Sequence, residues 1–264
     1  MKTKSLALCV ALMVSVSAFG ELFALPQLTP TQTTPVFDTL ASMFVFRPIE
    51  PATGYGRIWG LGIGVSANAT STAGISSVVT GLSGSYLPAG EINAGVTVPF
   101  GITIEGGLLP NLSYQSSAFS KTSVGAKWQI NKFLLTSLPF DLAFRVGFTK
   151  GALSYVQTSG GPQVNVAYDS TLISANLIVS KSFVVLEPFA GIGFVNHSSL
   201  LSGTGAGSIF GAGYPAATTS INSAAAALWM HAGLLVNLQI LRASASVDYS
   251  FNLLSFNGKV GFSI

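Results

Sequence analysis

The chain has 264 residues, of which only 8% are charged, and a mean hydropathy of +0.58. Soluble domains carry about 25% charge, so this composition excludes an ordinary water-facing surface. The net charge is +3, and once Lys2 and Lys4 are set aside with a leader, ten basic residues face nine acidic ones, which removes any case for nucleic acid or another polyanion.

The first residues read as an export signal. Lys2 and Lys4 precede an apolar core, Leu6–Val16, and Ala18-Phe19-Gly20 is a small-x-small cleavage site, so residues 1–20 are expected to be removed. Cys9 is the single cysteine and leaves with them, so no disulfide framework exists. Leu8 before it, and the apolar run after it, argue against lipid attachment. Leu22–Thr34 is a Pro-, Thr- and Gln-rich extended lead-in. Thr34 as cap and Pro35 at the first position then predict a short helix, Pro35–Phe46, with Asp38 near its N-terminus. Phe37, Leu40, Met43 and Phe44 share one of its faces.

From Tyr55 the period changes to two. Trp59, Leu61, Ile63 and Val65 alternate with Gly60, Gly62, Gly64 and Ser66, and the pattern recurs down the chain. Ile92–Val98 and Ile102–Leu108 flank a tight break at Pro99-Phe100-Gly101. Val124–Ile130 follows, and then Phe140–Thr149, where Phe140, Leu142, Phe144, Val146 and Phe148 oppose Asp141, Ala143, Arg145, Gly147 and Thr149. Val164–Ser180 is a longer strand with an expected bulge. Val184–Asn196, Ala224–Ile240, Arg242–Phe251 (Phe251 on the apolar side) and Phe256–Ile264 complete the set. A membrane helix over Ala224–Leu241 is the alternative there. It would spread His231, Asn237 and Gln239 around its circumference, whereas a strand collects them on one face, away from lipid.

Short links near Pro99, Leu134–Pro139, Lys181 and Leu241–Arg242 alternate with long ones at Asn68–Gly90, Pro110–Ser120, Gly151–Gln163 and His197–Ser223. Short turns on one side and long loops on the other, joining strands of about 9–11 residues, predict an all-β, transmembrane, antiparallel up-and-down β-barrel of about ten strands (8–12). Its domains are a signal (1–20), an N-terminal segment (21–54) and the barrel (55–264). The N-terminal segment is expected as a periplasmic cap on the barrel mouth, with a plug in the lumen, carried by Phe37, Leu40, Met43 and Phe44, as the alternative. A soluble periplasmic β-sandwich is the alternative fold.

With its signal, its strand pattern and a terminal strand at Phe256–Ile264, the chain resembles bacterial outer-membrane β-barrel proteins of small and medium size. Pro188-Phe189-Ala190-Gly191-Ile192-Gly193 is similar to a phrase in barrels like outer-membrane protein W. The resemblance implies the outer membrane of a Gram-negative-type bacterium, delivery by the barrel-assembly machinery, a monomer among outer-membrane lipid, and a small apolar ligand as a possible partner. Members commonly end in an aromatic residue. This chain ends in Ile264, with Phe262 two residues before it.

Glu105, Lys127, Arg145, Glu187, His231, Asp248 and Lys259 are the candidate lumen-lining residues, because each would be costly in lipid. Paired, they fill a narrow lumen; unpaired, they line a pore. The small inward residues leave space for the N-terminal segment, water or a ligand. His197 and Ser199 are similar in spacing to outer-membrane lipid A deacylases, but no Asp or Glu lies between Glu187 and Asp248 to orient the histidine, so no catalytic residue is assigned and no enzyme is expected. No residue grouping has metal spacing and no cofactor is implied. Gly60-x-Gly62-x-Gly64 lacks the helix that a nucleotide site requires. Leu200, Leu201, Ile209 and Phe210, placed in a loop, suggest an entry point for an apolar molecule. The expected function is a narrow passive channel or transporter for small or apolar solutes. The alternatives are a closed structural or surface-presenting barrel and, third, a lipid hydrolase.

Overall fold

Ten antiparallel strands pair in chain order, and the last closes onto the first. The computed structural model describes residues 30–56, 58–76, 85–114, 117–132, 138–157, 164–208 and 213–264; the predicted signal lies outside them. The strands are β1 (Gly60–Ser71), β2 (Tyr86–Val98), β3 (Ile102–Tyr114), β4 (Ser117–Gln129), β5 (Asp141–Gln157), β6 (Val164–Ser180), β7 (Leu186–Ser208), β8 (Gly213–Leu238), β9 (Leu241–Ser250) and β10 (Leu253–Ser263). Helix α1 (Pro30–Phe44) precedes them, and a single helical turn, α2 (Ala73–Ser76), follows β1. Closure reaches the last residue, where the Leu61 and Ile264 amides each donate to the other's carbonyl at 2.8 and 2.9 Å.

Alternation decides what each face meets. In β5, Phe144, Val146 and Phe148 are exposed while Arg145, Gly147 and Thr149 are buried. The outward rows form an apolar belt with aromatic residues at its margins, such as Trp59, Trp128 and Phe262 at one end and Tyr86, Tyr249 and Phe256 at the other. A closed barrel leaves no open sheet edge to lipid and satisfies its backbone between strands, which is why it can cross a bilayer. An even-numbered antiparallel barrel with an apolar outer band is the outer-membrane type, and the chain resides there. No described helix is long and apolar enough to span a membrane.

Four expectations change. The long links are mostly strand: β7 and β8 run 23 and 26 residues, because alternation continues in Ser, Thr, Gly and Ala after the greasy residues end. The bulge expected in β6 is not there; register shifts fall at Leu109/Leu112 between β3 and β4 and at Gly205/Gly207 between β7 and β8. Phe251 turns inward. It and Asn252 form a two-residue turn with φ of 52° and 62°, which ends the alternation at Ser250 and drops the ring onto His197, 5.3 Å between centroids. The helix begins at Pro30, so Pro35 lies inside it, and Asp38 sits well into the helix rather than near its start.

The helix also lies in the barrel rather than across its mouth. Gly74, beside β1's outer end, packs against Pro35 and Thr39. From there α1 descends through one half of the lumen, and residues 45–56 continue without regular structure, with a left-handed residue at Ile49 (φ 53°), to the short-turn end, where the Tyr55 amide donates to Thr97 Oγ1 at 2.8 Å.

Candidate functional site: the filled lumen

The lumen has two layers. The layer nearer the long connections holds the main apolar cluster. Val36, Phe37, Leu40, Met43 and Phe44 of α1 pack with Leu87, Leu109, Phe119, Leu153 and Tyr168 from the wall. The Phe44 ring stacks on Phe119 and Tyr168 at 4.9 and 6.0 Å. All four residues of the sequence-predicted helix face are therefore buried inside the barrel.

The layer below is ionic. Arg47 pairs with Asp248 at 2.6 Å. Glu50 bridges Lys259 at 2.7 Å and Arg242 at 2.9 Å. Glu105 takes Arg145 at 2.9 Å and Lys127 at 3.7 Å, and Glu91 takes Lys121 at 2.9 Å. Wall cations also hold the backbone of the descending segment: Lys127 donates to the Pro51 and Thr53 carbonyls at 2.7 and 2.6 Å, Lys259 to Pro48 at 3.1 Å, and Arg145 to Glu50 at 3.2 Å. At the exit, Glu187 accepts from Thr53 at 2.9 Å and from Ser180 at 2.7 Å. The segment crosses this layer without being a spanning strand. Burial alone would push the Glu50 carboxyl up, but Lys259, Arg242 and Lys127 outweigh it and hold it at about 2.

Glycines in the wall make the room. Gly62 and Gly95 are register partners, and a Cβ on either would fall within 2.5 Å of the Tyr55 ring, over which Arg242 and Lys259 are stacked at 5.2 and 5.7 Å. Gly125 and Gly147 are likewise partners and accommodate Phe46, while Gly151 accommodates Phe44.

Every sequence-predicted lumen residue is thus buried inside the wall: Glu105, Lys127, Arg145, Glu187, Asp248 and Lys259 in the ionic layer and its exit, and His231 against Phe189 and Trp229 at 6.2 and 5.1 Å. Sequence reasoning missed the partners on the inserted segment, Arg47 and Glu50, and the wall pair Glu91 and Lys121. The last two share inward parity with Asn93 and Lys127 and could have been found by extending β2 and β4 outward. Among the loop residues, Leu201 is buried and Leu200 exposed within β7; Ile209 and Phe210 lie outside the described residues.

The carboxylate found wanting beside His197 comes from the helix. Asp38 Oδ1 lies 3.3 Å from His197 Nε2, and Ser199 Oγ lies 2.9 Å from Nδ1. With Nε2–H donating to Asp38, Nδ1 accepts the Ser199 hydroxyl. Tyr168 in turn donates to Ser199 at 3.0 Å, and Ser170 shares a bond with it at 2.8 Å. His197 is fully buried and Ser199 nearly so, with Phe251 packed across the imidazole. The relay fastens α1 to β7. His197→Ala is expected to cost about 1–3 kcal/mol by stranding two buried partners, read as a lowered thermal midpoint of the barrel in detergent.

Residues 56–264 match a family of unknown function, DUF6588. The chain belongs to that family. No curated protein matches it. Among solved structures it is similar to Ail of Yersinia pestis bound to a heparin analogue (10% identity, 78% of this chain and 97% of that one, TM-score 0.36). It is similar also to Neisserial surface protein A (10%, 78% and 96%, 0.36) and to the translocator domain of the autotransporter NalP from Neisseria meningitidis (11%, 95% and 97%, 0.41). Among the described residues no group of His, Cys, Asp and Glu could hold a metal ion.

Proposed function

We propose that this DUF6588 member is a plugged outer-membrane transporter: its own residues 30–56 close the lumen to ions, and it passes small apolar solutes. The observation that carries the reading is the layering. A buried ion-pair layer blocks the periplasmic half, while the other half is built on an apolar cluster of α1 and wall side chains, with the Asp38–His197–Ser199 relay at one side of it. Water and salt find no lined path, whereas an apolar solute meets a compatible interior. The ion pairs favour a second reading, a permanently filled structural barrel.

The Ser199–His197–Asp38 relay is part of the plug's attachment in this reading, not an active site, because its hydroxyl is covered on every side. Release of fatty acid from outer-membrane lipid by the purified barrel, abolished by His197→Ala, would overturn that.

Two measurements test the main reading. In planar bilayers the complete protein is expected to be silent, with steady current after removal of residues 30–56. In intact cells, expression is expected to speed entry of the apolar dye N-phenylnaphthylamine. Silence with and without the segment, and no change in dye entry, would leave the structural barrel.

A further inference from the structure

The barrel wall is incompletely zipped. Strands β2 and β3 pair from Val98↔Ile102 up to Ile92↔Leu108, and no ladder joins Tyr86–Glu91 to Leu109–Tyr114 among the described residues, although both strands continue. On their other sides both stay paired, β2 with β1 as far as Tyr86 and β3 with β4 as far as Tyr114. The sequence gives the cause. Pro88 and Pro110 carry no amide hydrogen and cannot donate to a ladder, and β3 shifts register at Leu109/Leu112.

A groove in the lipid-facing surface leads to this seam. Register places Leu234, Ala245, Gly258, Ala67 and Gly90 side by side across five strands, a row of mostly small residues. Directly below runs a row of Val236, Ala243, Val260, Val65 and Ile92, bulkier at four of its five positions. Between them lies a depression of about 580 Å³, within the ~300–1,000 Å³ that encloses a small ligand. Gly90 is buried although it points outward, and a Cβ on Gly258 would meet nothing within 4 Å. Behind the seam, Leu87, Ala89 and Leu109 belong to the same apolar cluster as Val36 and Leu40 of α1.

We infer that the β2/β3 seam is a lateral doorway, and that the groove holds a single hydrocarbon chain ending in a hydrogen-bonding group, such as a long-chain fatty acid. The groove faces the bilayer interior and its walls are apolar, so hydrocarbon fills it. Unzipped strand edges are costly in hydrocarbon, and a polar head at the seam offsets that cost. The doorway deepens the transport reading by giving it a substrate class and an entrance, and it rests on that reading for passage but not for binding.

The test is photolabelling of the complete protein, refolded into phosphatidylethanolamine and phosphatidylglycerol vesicles, with diazirine-bearing palmitate. Label is expected to concentrate on residues 86–92 and 108–114. Gly258→Phe, whose Cβ meets nothing within 4 Å and whose ring projects into the groove, is expected to reduce it roughly tenfold, equivalent to about 1.4 kcal/mol of lost chain binding. Ala190→Phe, on the outer face of β7, is expected to leave it unchanged. Label spread evenly around the belt, or indifferent to Gly258→Phe, overturns the inference even if dye entry is accelerated. Label at the seam without accelerated dye entry upholds the site and removes the transport reading instead.

Discussion

Glu50→Ala is expected to open the barrel to ions. The carboxylate is the sole acidic partner within 4 Å of both Lys259 and Arg242 among the described residues, and all three side chains are buried. Removing one member of a buried ion cluster strands the others, at a cost of about 3–5 kcal/mol. The strands lose nothing by this, so the cost falls on the inserted segment. Relief comes when residues 45–56 withdraw and water reaches the two cations. Steady current in planar bilayers and proteolysis of the N-terminal segment, with heat-modified gel mobility unchanged, are the expected readouts. Replacing Glu50, Lys259 and Arg242 together by Leu, Met and Met should restore silence, because no charge is then stranded. Current equal to that of the single variant would show that Glu50 acts through shape and not charge.

The same carboxylate sets a pH window. Its folded value of about 2 lies below the ordinary 4.5, so its contribution is complete above about 4.5 and declines as pH falls toward 2. The wild-type protein is expected to stay closed at pH 5 and to begin conducting between about pH 4 and 2. Glu50→Gln should lose that transition while keeping the backbone contacts from Arg145, Lys127 and Lys259. A wild-type opening centred at pH 6 or above would instead assign the plug's pH response to another group.

Much of this was legible in the sequence because lipid enforces alternation. Phe144, Val146 and Phe148 must face outward, so Arg145 must face inward, and one strand's parity places its lumen residues without any knowledge of its neighbours. That logic weakens where lipid stops. Ser198–Ser208 and Gly213–Ser223 lie in strands that extend the barrel, yet with Ser, Thr and Gly on both faces they read as loop. It fails altogether for contacts made across the lumen. Asp38 and His197 are 159 residues apart, and no spacing rule connects a helix to a strand that follows it only after six others. Arg47 and Glu50 were readable as charges in a short segment between helix and barrel, but their partners depend on how deeply the segment inserts. The seam is the reverse case. Pro88 and Pro110 were visible as residues unsuited to a ladder, yet only strand register shows that they face one gap.

The inward glycines supply the second large effect. Gly62→Val is expected to expel Tyr55 and, with it, the lower end of the inserted segment. The three atoms nearest an added Cβ at Gly62 all belong to the Tyr55 ring, the closest at 2.3 Å. Strand backbone is not among them, so β1 can keep its register while the ring cannot stay. Overpacking of this kind costs about 1–3 kcal/mol. Moving the ring also ends its stacking beneath Arg242 and Lys259, the cations that Glu50 neutralises. The expected result is intermittent current, smaller than that of Glu50→Ala because the ion pairs themselves remain. Tyr55→Ala should leave a cavity and cost stability on its own, but the double variant Gly62→Val/Tyr55→Ala should cost less than the two changes added, since the valine then occupies vacated space. Strict additivity would mean that Gly62 serves the strand and not the plug. The glycine exists, on this argument, because a wall that must admit an aromatic ring from inside has no room for its own side chain at that point.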